Sequence, residues 1–364
     1  MKKGINFFRH IHPPLVRERT LHPLSTLGLG VVCFTCLLSL IATGVSLLLY
    51  YAPHQEVAYD RILHIVTTLK YGKLLRTIHY LAANLLLIAG ILHLARVFFM
   101  GSYQGRRLNW IYGLFLLSLI FLSNYTGYLL PWDQTSYWAV KVGSNLIAYL
   151  PGIGSPVKSF MLGGEDIGEE TLIRAFALHI AILPALWVIF ISLHLWQIRK
   201  DGGLAFSEEK DEAIRVPSSP WLFRAELTVF LLTISCLLLL SFFIEVPLAG
   251  RADPLHPPNP AKAPWYFVGI QEMVSHSAII GGVVAPLLIV LFLVLTPFLD
   301  RTENTAGRWF AKTRWLFNSA FTLIVLSQAA TMIAWFGTKA KPKLKGFMPI
   351  RIRHGNKGNR DVIQ

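Results

Sequence analysis

Charge is what this sequence has least of. Only 15% of its 364 residues are Asp, Glu, Lys or Arg, against about 25% in an ordinary soluble domain. Hydrophobic residues make up 54% and mean hydropathy is +0.50, which together exclude a soluble globular protein. Cysteine is also scarce. Cys33, Cys36 and Cys236 all fall inside apolar runs, which leaves no disulfide framework and suits small apolar packing residues. The first apolar run is too long for a signal-peptide core and is expected to stay in the mature chain.

What is present is a series of apolar stretches, each long enough to cross a hydrocarbon core about 30 Å thick. Bounded by charge, Gly or Pro, they run over 26–51, 74–100, 108–130, 174–198, 225–246, 278–299 and 314–336. The pattern predicts an all-α, polytopic membrane protein with seven transmembrane helices. A polar stretch from Gly202 to Ser219 divides a four-span half (1–201) from a three-span half (220–338), and a basic tail follows over 339–364. The connections between spans three and four and between spans five and six are long, as functional connections often are. They contain Leu130-Pro131-Trp132-Asp133-Gln134 and Ala263-Pro264-Trp265-Tyr266, aromatic segments suited to a membrane interface. Lys and Arg, with those at span ends included, number 17 on the side of the N-terminus and 9 on the other. The N-terminus is therefore expected on the cytoplasmic side. The tail runs against that rule, with 8 basic residues from Lys339 to Arg360 on the far side. It reads either as a surface for acidic lipid or a partner subunit, or as a solvated extension.

Four histidines carry the chemistry. The second span holds His79 and His93, 14 apart, and the fourth holds His179 and His194, 15 apart. At about 100° per residue each pair returns to one broad helix face after a rise of about 21 to 22 Å. A lone intramembrane histidine can be a packing or hydrogen-bonding residue. Matched pairs on two helices point further, because ionisable groups inside a membrane are costly and mark function. Imidazole is an axial ligand for haem iron, and two helices with histidines at two levels can hold two stacked haems. The first and third spans repeat the interval, with Gly30 and Gly44 and with Gly113 and Gly127. Those glycines make room for a flat macrocycle or for close helix packing. Arg76, Arg96 and Arg174 lie about one turn outside His79, His93 and His179, where haem propionates or a snorkelling contact would employ them.

With these features on one chain, the sequence resembles cytochrome b of the Rieske/cytochrome b complexes, over nearly all of residues 20–336. The resemblance rests on Arg76-Thr77-Ile78-His79, His93-Leu94-Ala95-Arg96-Val97, Gly127-Tyr128-Leu129-Leu130-Pro131-Trp132-Asp133-Gln134 and Thr171-Leu172-Ile173-Arg174. The 15-residue interval and the stop after seven spans resemble the chloroplast-type bf form, with its two halves fused. The resemblance implies two non-covalent b haems, a low-potential one on His79 and His179 near the positive side and a high-potential one on His93 and His194 near the negative side. It implies quinol oxidation near Tyr128, Pro131, Trp132, Tyr137, Trp265 and Tyr266, with one electron leaving to a Rieske iron-sulfur protein. The other would reach a quinone site near Arg199. The expected partners are the Rieske protein, a c-type cytochrome or its equivalent, membrane lipid and quinone, in a homodimeric complex of a bacterial inner membrane, with no part for nucleic acid.

Two departures from the family pattern stand out. The family usually has Pro-Glu-Trp-Tyr where this chain has Ala263-Pro264-Trp265-Tyr266, so the carboxylate that takes a quinol proton is missing. The nearest one is Glu272, about two helical turns on, which reads either as the replacement or as a surface residue; His276 is a weaker candidate. In the bf type a cysteine near the start of the first span carries a third, covalent haem. Gly28 falls at that position, and Leu37 follows Cys33 and Cys36 where a c-type attachment motif requires His. No covalent haem is expected. Rival readings are a transporter, which would call for broken helices and midplane polar groups, and a dihaem membrane anchor of a quinone-linked dehydrogenase, which would not need the aromatic connections.

Overall fold

The computed structural model describes residues 12–204, 214–258, 261, 263–303 and 305–337. The basic tail from Lys339 to Arg360 lies outside the described residues. Among the described residues seven helices are long and apolar enough to cross a membrane, and all seven match the expected spans. They are α1 (Leu29–Leu48), α3 (Gly72–Phe99), α4 (Arg107–Leu129), α7 (Glu169–Lys200), α8 (Ser218–Phe243), α10 (Ile280–Leu299) and α11 (Trp315–Gly337). Shorter helices fill the connections: α2 (Ala58–Thr67), α5 (Gln134–Ile147), α6 (Gly154–Leu162) and α9 (Val268–His276). Apolar side chains such as Leu239, Phe242, Phe243 and Val188 point outward, as helices that are hydrophobic all round do in lipid.

Helix α1 packs along α3 and α4 along α7, forming the four-helix half, while α8 lies against α1 and α3, α10 against α4, and α11 against α9. The bundle core is made by Cys36 and Leu37 of α1, Ala82, Leu86 and Leu87 of α3, Leu116, Leu119 and Ile120 of α4, and Leu183 and Trp187 of α7, closed by Leu237 of α8. On α3 and α7 every one of these residues falls between the two histidines of its helix, so an apolar layer separates the two levels. Cys33, Cys36 and Cys236 are free thiols, with Cys36 fully buried in this layer.

Pro184 shapes α7. Proline has no N–H and clashes with the preceding turn, and the helix meets it with a π turn over Leu178–Ile182. A π turn holds one residue more than an α turn. The 15 residues from His179 to His194 therefore advance about as far as 14 in an uninterrupted α-helix, which restores the register of His79 and His93 on α3. Helix α10 repeats the device, with a π turn at Ile280–Val284 ahead of Pro286.

The halves are tied together at both membrane faces. On the N-terminal side, β1 (Leu15–Arg17) pairs antiparallel with β2 (Arg215–Pro217), so part of the stretch read as a linker is a two-stranded ribbon. Nearby, Arg314 is fully buried and ion-paired to Asp300 at 2.8 Å. It also donates to the Phe98 carbonyl at 3.0 Å and to the Tyr103 hydroxyl at 2.5 Å. Tyr103 in turn donates to Asp300 at 2.6 Å. Gly101 sits at φ +58°, where a Cβ would lie 2.8 Å from an Arg314 nitrogen. Burial alone would raise the Asp300 carboxyl, but hydrogen bonds from Thr302, Tyr103 and Arg314 hold it below the ordinary carboxylate value.

A buried pair broken on one side leaves an uncompensated charge, at a cost of about 3–5 kcal/mol. Arg314→Leu is therefore expected to lower the thermal midpoint of the purified protein markedly. Because the folded-state value of Asp300 is depressed, its contribution is present at neutral pH and lost only as pH falls below the carboxylate range. The loss caused by Arg314→Leu should accordingly be full at pH 7 and shrink in acid, which thermal melts across pH will check.

Candidate functional site

The structure brings His79 and His179 face to face and sets His93 close enough to His194 to feel its charge. The rings of His79 and His179 have centroids 6.3 Å apart with planes inclined at 65°. An imidazole nitrogen binds a metal at about 2 Å, and adding the roughly 1 Å from nitrogen to ring centre on each side gives about 6 Å for two rings sharing one ion. The separation matches. Two protein ligands are too few for a bare ion, and among the described residues no group of three or more His, Cys, Asp or Glu could hold one. The donor set fits an iron that brings its own equatorial ligands, as haem does.

Hydrogen bonds fix which nitrogen is free. The Thr43 hydroxyl donates to the Ser39 carbonyl at 2.7 Å and lies 2.9 Å from His79 Nδ1. Its single proton is committed, so His79 donates from Nδ1–H and leaves Nε2 as a bare lone pair. Thr126 repeats the arrangement, donating to Leu122 at 2.9 Å with its oxygen 3.2 Å from His179 Nδ1. A ligating histidine commonly donates its other ring N–H in this way, which orients the ring and raises its basicity. At the second level, His93 Nδ1 and His194 Nδ1 are buried without a hydrogen-bond partner.

Each of the four glycines faces one of these rings. A Cβ on Gly44 would lie 3.4 Å from His79 Cε1, on Gly30 3.8 Å from His93 Cε1, on Gly113 3.7 Å from His194 Cε1, and on Gly127 only 2.6 Å from His179 Cε1. The 14-residue glycine interval thus serves the edges of the imidazoles directly, in addition to any flat group beside them. The three arginines reach backbone carbonyls. Arg76 donates to the Val246 and Pro247 carbonyls, Arg96 to Ser25 and Arg174 to Phe160, so each guanidinium fastens a neighbouring segment. Arg199 stands exposed in the last turn of α7.

The aromatic residues form two groups. Trp132 and Tyr137 are buried, edge to face at 5.7 Å, in a cluster with Leu129, Val140, Leu162 and Leu172. Trp265 and Tyr266 are edge to face at 5.7 Å and pack on the bundle core, where Trp265 Nε1 donates to Asn84 Oδ1 at 2.6 Å. Burial first, and then the neighbouring phenols of Tyr128 and Tyr80, push the Tyr266 hydroxyl well above the ordinary tyrosine value. Tyr128 thereby joins the second group. Pro131 sits half-buried between Tyr128 and Trp132.

The residues after Pro131 act as a scaffold. Asp133 caps α5 through a capping box with Ser136 and accepts from Ala249 N–H at 3.0 Å. Gln134 accepts from Asp253 N–H at 2.6 Å and donates to the His256 carbonyl at 2.5 Å. The long connection between α8 and α9 is held over the bundle by these bonds. Sequence reasoning missed Thr43, Thr126 and Asn84. The first two were signalled by the repeated Thr-Gly dipeptides at 43–44 and 126–127, and Asn84 by being an amide in an apolar span. It also missed Tyr125, whose hydroxyl is buried without a partner against Gly143, where a Cβ would lie 3.2 Å from the Tyr125 ring.

Fold and site together define a multi-span helical membrane protein with histidines of two bundle helices at two levels. The chain belongs to the cytochrome b family: the family model for cytochrome b/b6/petB matches residues 20–202, and that for cytochrome b(C-terminal)/b6/petD matches residues 251–349. It is similar to a cytochrome b of Acrochordus granulatus, with 28% identity over 311 residues, which cover 83% of this chain and 82% of that one. Among solved structures it is similar to a chain of a hyperthermophilic respiratory Complex III, with a TM-score of 0.77 and 25% identity, covering 90% of this chain and 88% of that one.

The glycine contacts separate two variants. Gly127→Ala sets a methyl against His179 and should cost about 1–3 kcal/mol through overpacking, with a weakened absorption from any haem at that level. Gly30→Ala has ordinary van der Waals room and should be neutral or slightly stabilising. Thermal melts and reduced-minus-oxidised spectra of the two variants, purified alike, check the difference.

Proposed function

We propose that this chain is the electron-transferring membrane subunit of a quinol:cytochrome c reductase, or of a complex with an equivalent acceptor, of the Complex III kind. The observation that carries the reading is the pair of facing imidazoles 6.3 Å apart with their Nδ1 atoms committed to Thr43 and Thr126. His79 with His179, and His93 with His194, would hold two b haems. Haem bound at these levels supplies reversible one-electron iron chemistry near each membrane face.

The protein's own residues do the rest. Tyr128, Pro131, Trp132, Tyr137, Trp265 and Tyr266 form the aromatic wall against which quinol binds and from which water is kept. Pro264 supplies no proton acceptor, and Glu272 on α9 takes that part. Arg199 serves the quinone site at the negative face. Gly28 stands at φ +62°, with its Cα face against Val229, and brings no thiol for a covalent haem. A Rieske iron-sulfur protein and a c-type cytochrome or its equivalent are the partners, in a dimeric complex in a bacterial inner membrane, with the N-terminus cytoplasmic and the four-span and three-span halves as successive domains.

Replacing His179 or His194 with Leu is expected to leave at most one b haem or to block assembly. Two unaltered b-haem bands in the reduced-minus-oxidised spectrum of either variant would overturn the ligand assignment. Glu272→Gln should keep both haems and slow quinol oxidation by about ten-fold or more, within the range that general acid–base groups contribute. Stopped-flow reduction of the haems by quinol measures it.

A further inference from the structure

Removing the carboxylate at Pro264 moves the proton problem one helix along. The start of α9 is folded back on the aromatic segment, since Gln271 accepts from Ala263 N–H at 2.8 Å and donates to the Ala261 carbonyl at 2.7 Å. Val268, Glu272 and His276 follow at four-residue intervals, so they lie along one face of the helix. Their exposure is graded along that face. Val268 is 3% exposed, the Glu272 side chain 15% and the His276 side chain 78%. Glu272 Oε1 lies 3.4 Å from His276 Nε2, a separation that a small side-chain rotation or one water closes to hydrogen-bond reach. His276 ends the helix, and Ser277 continues in extended backbone.

Among the described residues the surroundings offer this pair little competition. Helix α9 packs on α11, on the π turn at 280–284 and on the Trp265–Phe267 turn. Neither α11 nor the π turn contains an Asp, Glu, Lys, Arg or His, and the Trp265–Phe267 turn contributes only the Tyr266 phenol. Helix α5 reaches the same region through Leu146, 3.7 Å from the Cβ position of Gly282. Its lysine, Lys141, is paired with Asp166. An ordinary surface ion pair has both partners in water, whereas here one end is largely buried and the other is wet.

We propose that Glu272 and His276 form a two-residue proton outlet from the quinol-oxidation site to the positive-side water. This rests on the reading of that site given above. The quinol O–H bond breaks and its proton goes to the Glu272 carboxylate. The carboxylic acid then gives a proton to Nε2 of a neutral His276 that carries its own proton on Nδ1, and the resulting imidazolium releases the Nδ1 proton to water. The histidine regains its first tautomer by proton exchange with solvent. Glu272 meets the substrate and is the catalytic residue, while His276 acts through it.

The test uses the purified complex with a water-soluble quinol. His276→Gln should slow haem reduction by roughly ten-fold with unchanged haem spectra, and added imidazole should restore most of the rate, because position 276 is open to solvent. Glu272→Gln should be slow without rescue, and the double variant should be no slower than Glu272→Gln alone. A His276→Gln rate equal to wild type beside a slow Glu272→Gln overturns the outlet while the site reading stands. A slow His276→Gln that imidazole does not rescue also overturns it, because the effect is then structural. Wild-type rates in both variants overturn the assignment of the acceptor as well. A wild-type complex that binds two b haems yet does not oxidise quinol overturns the reading of the site itself.

Discussion

An imidazole inside a membrane has two nitrogens to satisfy and no water to satisfy them with, and a buried polar group left without a partner costs several kcal/mol in an apolar medium. Four imidazoles multiply that demand, and much of the bundle can be understood as meeting it. Thr43 and Thr126 take one nitrogen each from His79 and His179. Both threonines first commit their own proton to the carbonyl four residues back, so the tautomer is set before any ligand arrives. Glycines at 30, 44, 113 and 127 then let the rings approach the neighbouring backbone. The π turn ahead of Pro184 corrects the one-residue excess in α7, and the apolar layer around Leu86, Leu119 and Trp187 keeps the two levels apart.

How much of this could be read from the sequence follows from which interactions are periodic. A helix repeats every 3.6 residues, so residues that must share a face at two heights leave an interval of 14, and the histidines and glycines were legible on that ground. The seven spans were legible because hydrophobic length is a direct requirement of the bilayer. Contacts that join distant segments leave no interval. That Arg76 fastens Val246 and Pro247 depends on where the α8–α9 connection lies. Asp133 and Gln134 belonged to a recognisable motif, yet their work as a clamp on residues 249–256 appears only when the two connections meet. The effect of the π turn ahead of Pro184 on register needed the folded helix.

The same long-range contacts explain how a four-span and a three-span half behave as one body. Near the N-terminal face the buried Arg314–Asp300 pair, with Tyr103 and the Phe98 carbonyl, joins the turn between α3 and α4 to the turn between α10 and α11. At the other face Asp133, Gln134 and Arg76 hold the connection that leads to Trp265. A buried ion pair contributes little net stability against an apolar substitute, but it penalises misplacement strongly. Position is what a site assembled from both halves requires. The Trp265–Asn84 bond and the packing of Tyr266 on Phe121 depend on the three-span half sitting in one place over the bundle.

The two histidine levels differ in a way that bears on the proposed electron path. His79 and His179 donate from Nδ1 to hydroxyls, whereas Leu29 and Tyr112 stand where Thr43 and Thr126 would be at the second level, and His93 and His194 have no such partner. Donation from Nδ1–H raises the basicity of Nε2. A more basic axial ligand stabilises the oxidised, more positively charged metal over the reduced one, so it lowers the reduction potential of whatever iron it holds. The asymmetry is written in two Thr-Gly dipeptides at residues 43–44 and 126–127.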